Sequence, residues 1–146
     1  MTSYNTLMLT DEKRLRDYCE QIDGVKKYIR DHIDEPLTRE VLADVAGYSV
    51  PHFHRIFTAQ LGENIASYVR RVRLERAGRK LRMGALDITQ VALAAGYDTH
   101  AAFSRAFRQQ YGLTPSQFRQ LNCRKATQIL RKGYSHEDQT DKHPDR

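Results

Sequence analysis

The sequence predicts an all-α fold: two helix-turn-helix subdomains joined by a long linking helix. Three observations carry this. The stretch Gly47-Tyr48-Ser49-Val50-Pro51-His52-Phe53-His54-Arg55-Ile56-Phe57 returns as Gly96-Tyr97-Asp98-Thr99-His100-Ala101-Ala102-Phe103-Ser104-Arg105-Ala106-Phe107. Each copy follows a short apolar run (residues 41–46 and 91–95) and is closed by a glycine, Gly62 or Gly112. Between the copies, residues 64–82 read as one arginine-rich helix. The Gly-Tyr pairs lie 49 apart, whereas the Phe, Arg, Phe and closing Gly positions lie 50 apart, so the second copy has one extra residue in its turn. A repeat of this length holds helices and tight turns.

Five segments follow: an N-terminal extension (1–19), a first helix-turn-helix subdomain (20–63), the linking helix (64–82), a second subdomain (83–122) and a polar tail (123–146). Residues 1 to about 10 carry no pattern. From Asp11, Leu15, Tyr18, Ile22, Val25, Ile29 and Ile33 recur at helical spacing. Gly24 offers a place to split this run. Pro36 ends it, because the residue before a proline is pushed out of the helical region.

Leu37-Thr38 then opens a helix, with Thr38 as N-cap and Leu37 placed to staple onto Leu42. The device recurs at Leu86-Asp87, where Gln90 completes a capping box and Leu86 meets Val91. It recurs again at Leu113-Thr114-Pro115, with Gln117 and Phe118; Asn64, Ile65 and Tyr68 are the first-half counterparts. Gly47 and Gly96 suit left-handed helix ends. Ser49 and Thr99 stand where an N-cap hydroxyl meets free N–H groups of the next helix. Pro51 falls in that helix's first turn, where its missing donor costs little. A helix, a short turn and a second helix make a helix-turn-helix.

The faces of the second helix point to a ligand. At 100° per residue, Phe53, Ile56, Phe57 and Gln60 share one face, as do Phe103, Ala106, Phe107 and Gln110. Opposite lie Pro51, His54, Arg55 and Thr58 in the first copy, and Ala101, Ser104, Arg105 and Arg108 in the second, with His100 at the edge. An apolar back with an outward Arg is what a helix in a DNA major groove needs. Arg bonds guanine bidentately, Ser and His reach base edges, and Ala meets a thymine methyl. The candidate base readers are therefore Pro51, His54, Arg55, His100, Ala101, Ser104 and Arg105. The candidate phosphate contacts are Thr38, Ser49, Thr58, Asn64, Arg73, Thr99, Arg108 and Thr114, because helix starts offer N–H groups and a positive dipole end. The competing explanation is a pair of amphipathic hairpins with solvated arginines, and a matching Arg register in two copies weighs against it.

Here the sequence resembles the DNA-binding region of the AraC/XylS transcriptional regulators, especially the stand-alone MarA/SoxS/Rob kind. The resemblance runs from about Ile22 to Arg119. It rests on Ala46-Gly47-Tyr48-Ser49, Phe53-His54-Arg55-Ile56-Phe57, Gly62, Arg73-Leu74 with Ala77, Ile88, Val91-Ala92, Ala95-Gly96-Tyr97, Phe103-Ser104-Arg105-Ala106-Phe107, Tyr111-Gly112 with Thr114-Pro115, and Phe118-Arg119. It implies two units entering successive major grooves of double-stranded DNA; activation and repression both fit, and the resemblance favours activation, with RNA polymerase as a partner. Because both readers lie in one chain, one monomer per site is expected. Three departures stand out: Pro51 replaces a side chain aimed at bases, Lys80 a usual Leu, and Gly78 interrupts the linking helix. Gly78 marks either a bend or a close packing contact.

Composition agrees. The chain has 146 residues, a formal charge of +6 and a pI near 9.5, which suits a polyanionic partner. The linking helix spans about 28 Å at about 1.5 Å per residue, close to the roughly 34 Å between successive major grooves. Its arginines divide between solvent and phosphate in a way the sequence leaves open. No apolar run approaches a membrane span of about 18 residues, and Met1-Thr2-Ser3-Tyr4 begins no signal peptide. The expected location is the cytoplasm, on the bacterial nucleoid. Cys19 and Cys123 are expected as reduced thiols, though a disulfide stays open. They lack the Cys-x-x-Cys context of a zinc site, and neither a phosphate loop nor a nucleophile elbow is present. The sequence thus gives no reason to expect catalysis, cofactor or metal; His136-Glu137-Asp138 and His143 lack fixed geometry. No separate sensing domain is expected within these 146 residues, and a natural protein that continues beyond Arg146 would leave that question open. After Arg119 the pattern fades, with Ile129 and Leu130 able to extend a short helix, and disorder is expected from Gly133.

Overall fold

The computed structural model describes residues 2–84 and 87–132, with side chains from Asp11 to Arg131 within those ranges. Their regular structure is all helical: α1 (Thr2–Asp31), α2 (Arg39–Ala46), α3 (Val50–Leu61), α4 (Ile65–Arg82), α5 (Ile88–Ala94), α6 (His100–Tyr111), α7 (Pro115–Arg119) and α8 (Cys123–Lys132). Two compact units result, Met1–Arg70 and Arg71–Arg146, and α4 is the helix that belongs to both.

In the first unit, α1 buries Ile22, Val25 and Ile29 and packs against α2 and α3. Two expectations are corrected here. The patternless N-terminus belongs to α1 from Thr2, and Gly24 does not split the helix. Nothing lies within 4 Å of a Cβ placed at Gly24. The residue therefore costs only its helix propensity, about 1 kcal/mol against Ala, and the buried residues on either side of it outweigh that. Leu15, read as part of the apolar stripe, is 59% exposed. The stripe is covered only from Tyr18 onward, where that ring meets Tyr48 and His52 edge-on at 6.0 and 5.9 Å. Burial, with Tyr18 and Asp17 nearby, raises the Tyr48 phenol above its ordinary pKa. Leu42, Ala43 and Ala46 of α2, Phe53, Ile56 and Phe57 of α3, and Ile65 and Tyr68 of α4 complete this core. Phe57 stacks edge-on against Tyr68 at 5.5 Å.

The second unit repeats the plan. Leu74, Ala77 and Leu81 of α4 meet Val91, Ala92, Phe103, Phe107, Tyr111 and Phe118. Burial first, and then the Glu75 carboxylate, push the Tyr111 phenol well above its ordinary value, against the lowering pull of Arg71 and Arg79. Leu113 packs against this cluster, as its staple to Phe118 requires. The expected Leu86 staple lies outside the described residues.

The segment after Asn122 differs most from the sequence reading, which found little pattern there. Cys123–Lys132 forms α8, whose Ala126 is buried and whose Ile129 and Leu130 pack on the second core. Of the two readings of Gly78, the close packing contact is present. A Cβ there would lie 2.6 Å from Leu130 Cδ2, so the glycine admits α8 at close range. The rest of the tail, from Gly133, lies outside the described residues, as do its histidines and acids.

Candidate nucleic-acid interface

Each candidate reading helix is held from behind and capped in front. On α3, Phe53, Ile56 and Phe57 are buried. The Ser49 hydroxyl accepts the His52 N–H at 3.4 Å, and Pro51 occupies the first turn. On α6, Phe103 and Phe107 are buried, and the Thr99 hydroxyl accepts the Ala102 N–H at 3.0 Å. Both helices end on left-handed glycines, Gly62 (φ 71°) and Gly112 (φ 78°), whose N–H groups bond Thr58 O and Arg108 O. Such a φ is free of strain only in glycine.

With the backs fixed, the outer faces follow. Pro51, Arg55 and Thr58 are exposed on α3; His100, Ala101, Arg105 and Arg108 are exposed on α6. Ser104 is half-buried. So is His54, but differently: its Nδ1 is fully buried and has no hydrogen-bond partner among the described residues. His54 lines a cavity of about 470 Å³ together with Leu37, Thr38, Arg39, Glu40, Asn64, Ile65 and Ala66. The structure thus gathers one expected base reader, His54, with two expected phosphate contacts, Thr38 and Asn64, at the starts of α2 and α4. Arg55, the next residue of α3, is exposed.

The expected phosphate contacts are mostly caps. Thr38 accepts from Val41 N at 3.2 Å and Asn64 Oδ1 from Ser67 N at 2.8 Å. Thr114 accepts from Gln117 N at 3.2 Å, while the Gln117 side chain accepts from Thr114 N at 3.0 Å, a capping box like that of Asp87 and Gln90. A hydroxyl that accepts a cap bond still has its O–H to donate, and Asn64 keeps its NH₂. Capping and phosphate donation are therefore compatible in the same residue. Arg73 is half-buried and already engaged within the protein.

Sequence reasoning missed a clasp at the end of α4. Arg82 donates from Nη1 to Arg119 O at 2.8 Å and to Leu121 O, and its Nη2 lies 3.6 Å from Cys123 Sγ. Arg119 returns a bond from Nε to Leu81 O at 3.0 Å. The Arg82 guanidinium thus satisfies the last carbonyl of α7 and one just beyond it, and the Arg119 guanidinium satisfies one at the end of α4. The one available signal was Asn122, a good N-cap three residues before Lys125, followed by Ala126, Ile129 and Leu130 at helical spacing; the observed cap is Asn122 Oδ1 to Lys125 N at 2.9 Å.

Two capped helix-turn-helix units with outward arginines define a helix-turn-helix protein. A family model described as a helix-turn-helix domain matches residues 42–121. The regulatory protein SoxS of Escherichia coli is 37% identical over 98 residues, 67% of this chain and 92% of SoxS. The right origin-binding protein of the same organism is 36% identical over 92 residues, 63% of this chain; the chain spans about a third (32%) of that relative's length. A probable AraC family transcriptional regulator from Rhodopseudomonas palustris superimposes with TM-score 0.63 at 29% identity, covering 69% of this chain and 95% of the other. The DNA-binding domain of AdpA, a global transcriptional factor solved in complex with a target DNA, gives TM-score 0.60 at 26% identity, covering 67% and 88%. This chain belongs to the AraC-type helix-turn-helix family of transcriptional regulators.

Proposed function

We propose that the chain binds double-stranded DNA as a monomer, presents α3 and α6 to successive major grooves, and activates transcription through RNA polymerase, in the cytoplasm on the nucleoid. The observation that carries this is the pair Arg55 and Arg105, exposed at the same register of two helices whose aromatic backs are buried. Pro51 and Ala101 beside them offer no hydrogen bonds, so each unit depends on its Arg for direct readout. His100 stands at the start of α6, while Ser104 and His54 lie half-buried at the groove's margin. Thr38, Ser49, Thr58, Asn64, Thr99, Arg108 and Thr114 hold the backbone, with Arg73 on the linking helix.

Selection of bound duplexes from a random pool tests the reading. Wild type should return an asymmetric site with two conserved halves. Arg55→Ala should blur one half and Arg105→Ala the other, each at a cost of about 1–3 kcal/mol, as expected for a lost bidentate pair. If either variant weakens all positions equally, that Arg is a phosphate clamp. If neither changes the site, both helices are wrongly assigned.

A further inference from the structure

Charge is divided unequally along the chain. Residues 1–70 hold 9 Lys and Arg against 11 Asp and Glu, whereas residues 71–132 hold 13 against 3. The formal charges are thus −2 and +10, and α8 is the element with the highest net charge for its length. It contains Arg124, Lys125, Arg131 and Lys132 and no acid. Arg124, Gln128 and Arg131 line the face opposite Ala126 and Leu130, at spacings of four and three that stack residues along a helix. Lys125 lies on the adjoining row.

Three features separate this from an ordinary solvated face. First, α8 is seated: Leu130 fills the space at Gly78, and Arg82 holds the carbonyl of Leu121 just before the helix begins. Its charges therefore have a fixed place on the second unit. Second, Arg124, Lys125 and Arg131 are exposed, and no carboxylate pairs with them among the described residues, whereas Arg79 on α4 is held by Glu75 at 2.7 Å. Third, two of the cations sit in the first turn, where the helix dipole is positive and favours acids. Arg82 adds a further positive charge at that end. A locally unfavourable arrangement of this kind is expected at functional surfaces, and an outside anion relieves it. The equally exposed stretch Asp11–Asp17 of α1, by contrast, mixes both signs.

We propose that α8, outside the matched residues 42–121, is an added DNA-backbone-binding face: it holds phosphates of the duplex without regard to sequence and makes the second unit the electrostatic anchor. The proposal rests on the DNA-binding reading above. The test uses the full chain and compares wild type with the triple variant Arg124→Gln/Lys125→Gln/Arg131→Gln. A control triple, Lys13→Gln/Arg14→Gln/Arg16→Gln, removes the same charge from α1. Affinity for the selected duplex and for a scrambled one is measured across salt concentrations. Each neutralised phosphate contributes about 0.9 to the slope of log K against log salt. The α8 triple should therefore bind both duplexes more weakly, with a slope shallower by about 2 to 3 and an unchanged selected sequence. The control should keep the wild-type slope. Arg131→Gln alone, remote from the Arg82 clasp, should lower the slope by about 1 and guards against misfolding of the triple. An unchanged slope in the α8 variants overturns the proposal. So does an equal loss in the control, which would make the effect one of net charge. A wild-type chain that binds no duplex would overturn the DNA-binding reading itself, and this inference with it.

Discussion

Tyr111 shows how one side chain couples α6 to its support. It is the last residue of α6, 4% exposed, with its ring 4.8 Å from Phe107 and 6.4 Å from Phe118. Burial and Glu75 favour the neutral phenol. Its folded pKa therefore lies above the ordinary value of 10.0. The sign follows from linkage: this preference is fully present below about pH 10 and is lost as pH rises toward the folded pKa. Melting temperature measured from pH 8 to 11 should fall more steeply in wild type than in Tyr111→Phe. Parallel curves would mean that the phenol ionises without disturbing the core. Gly78 acts in the other direction, by what it lacks: its missing side chain is the seat of Leu130.

At the scale of elements, the end of α4 is the joint of the second unit. Arg82 serves two carbonyls with one guanidinium, a geometry that a lysine ammonium matches poorly. Hydrogen bonds from a charged group contribute about 1.5–3 kcal/mol, and this site is part-buried. Arg82→Ala should lower stability by about 2 kcal/mol in urea denaturation, and Arg82→Lys should recover only part of that. Hydrogen exchange should show the loss first in α7 and α8. A variant with unchanged stability and exchange would mean that water replaces the clasp without penalty. The caps behave differently, because each stabilises only its own helix. Of the cap residues that the sequence marked, Thr38, Ser49, Thr99 and Thr114 each accept the N–H three residues on.

For the whole molecule, the expectation is one chain per duplex, since both readers lie in one polypeptide and no dimer symmetry is needed. Sedimentation of the complex measures this directly, and two chains on a palindrome would sink it. Salt dependence is the second whole-molecule property. With about 6–8 phosphates neutralised, log K against log salt should slope roughly −5 to −7. A slope shallower than about −2 would mean that the basic surface of residues 71–132 faces away from DNA.

What the sequence determined by itself is local. The repeated Gly-Tyr and Phe-x-Arg-x-Phe spacing, the cap residues and the left-handed glycines each act within a few residues of where they stand. Their geometry could therefore be read before any packing was known. The outward register of Arg55 and Arg105 follows from the buried Phe53, Phe57, Phe103 and Phe107 by helical periodicity alone. Only the tertiary structure decided what depends on contacts between distant segments. Gly78 is a packing seat because Leu130, 52 residues on, fills it. Arg82 proves to be a clasp because two carbonyls near residue 120 come within its reach. His54 turns from the open face toward a cavity because the starts of α2 and α4 converge beside it. Helical spacing says which residues share a face; which faces are covered, and by what, is settled when the chain closes on itself.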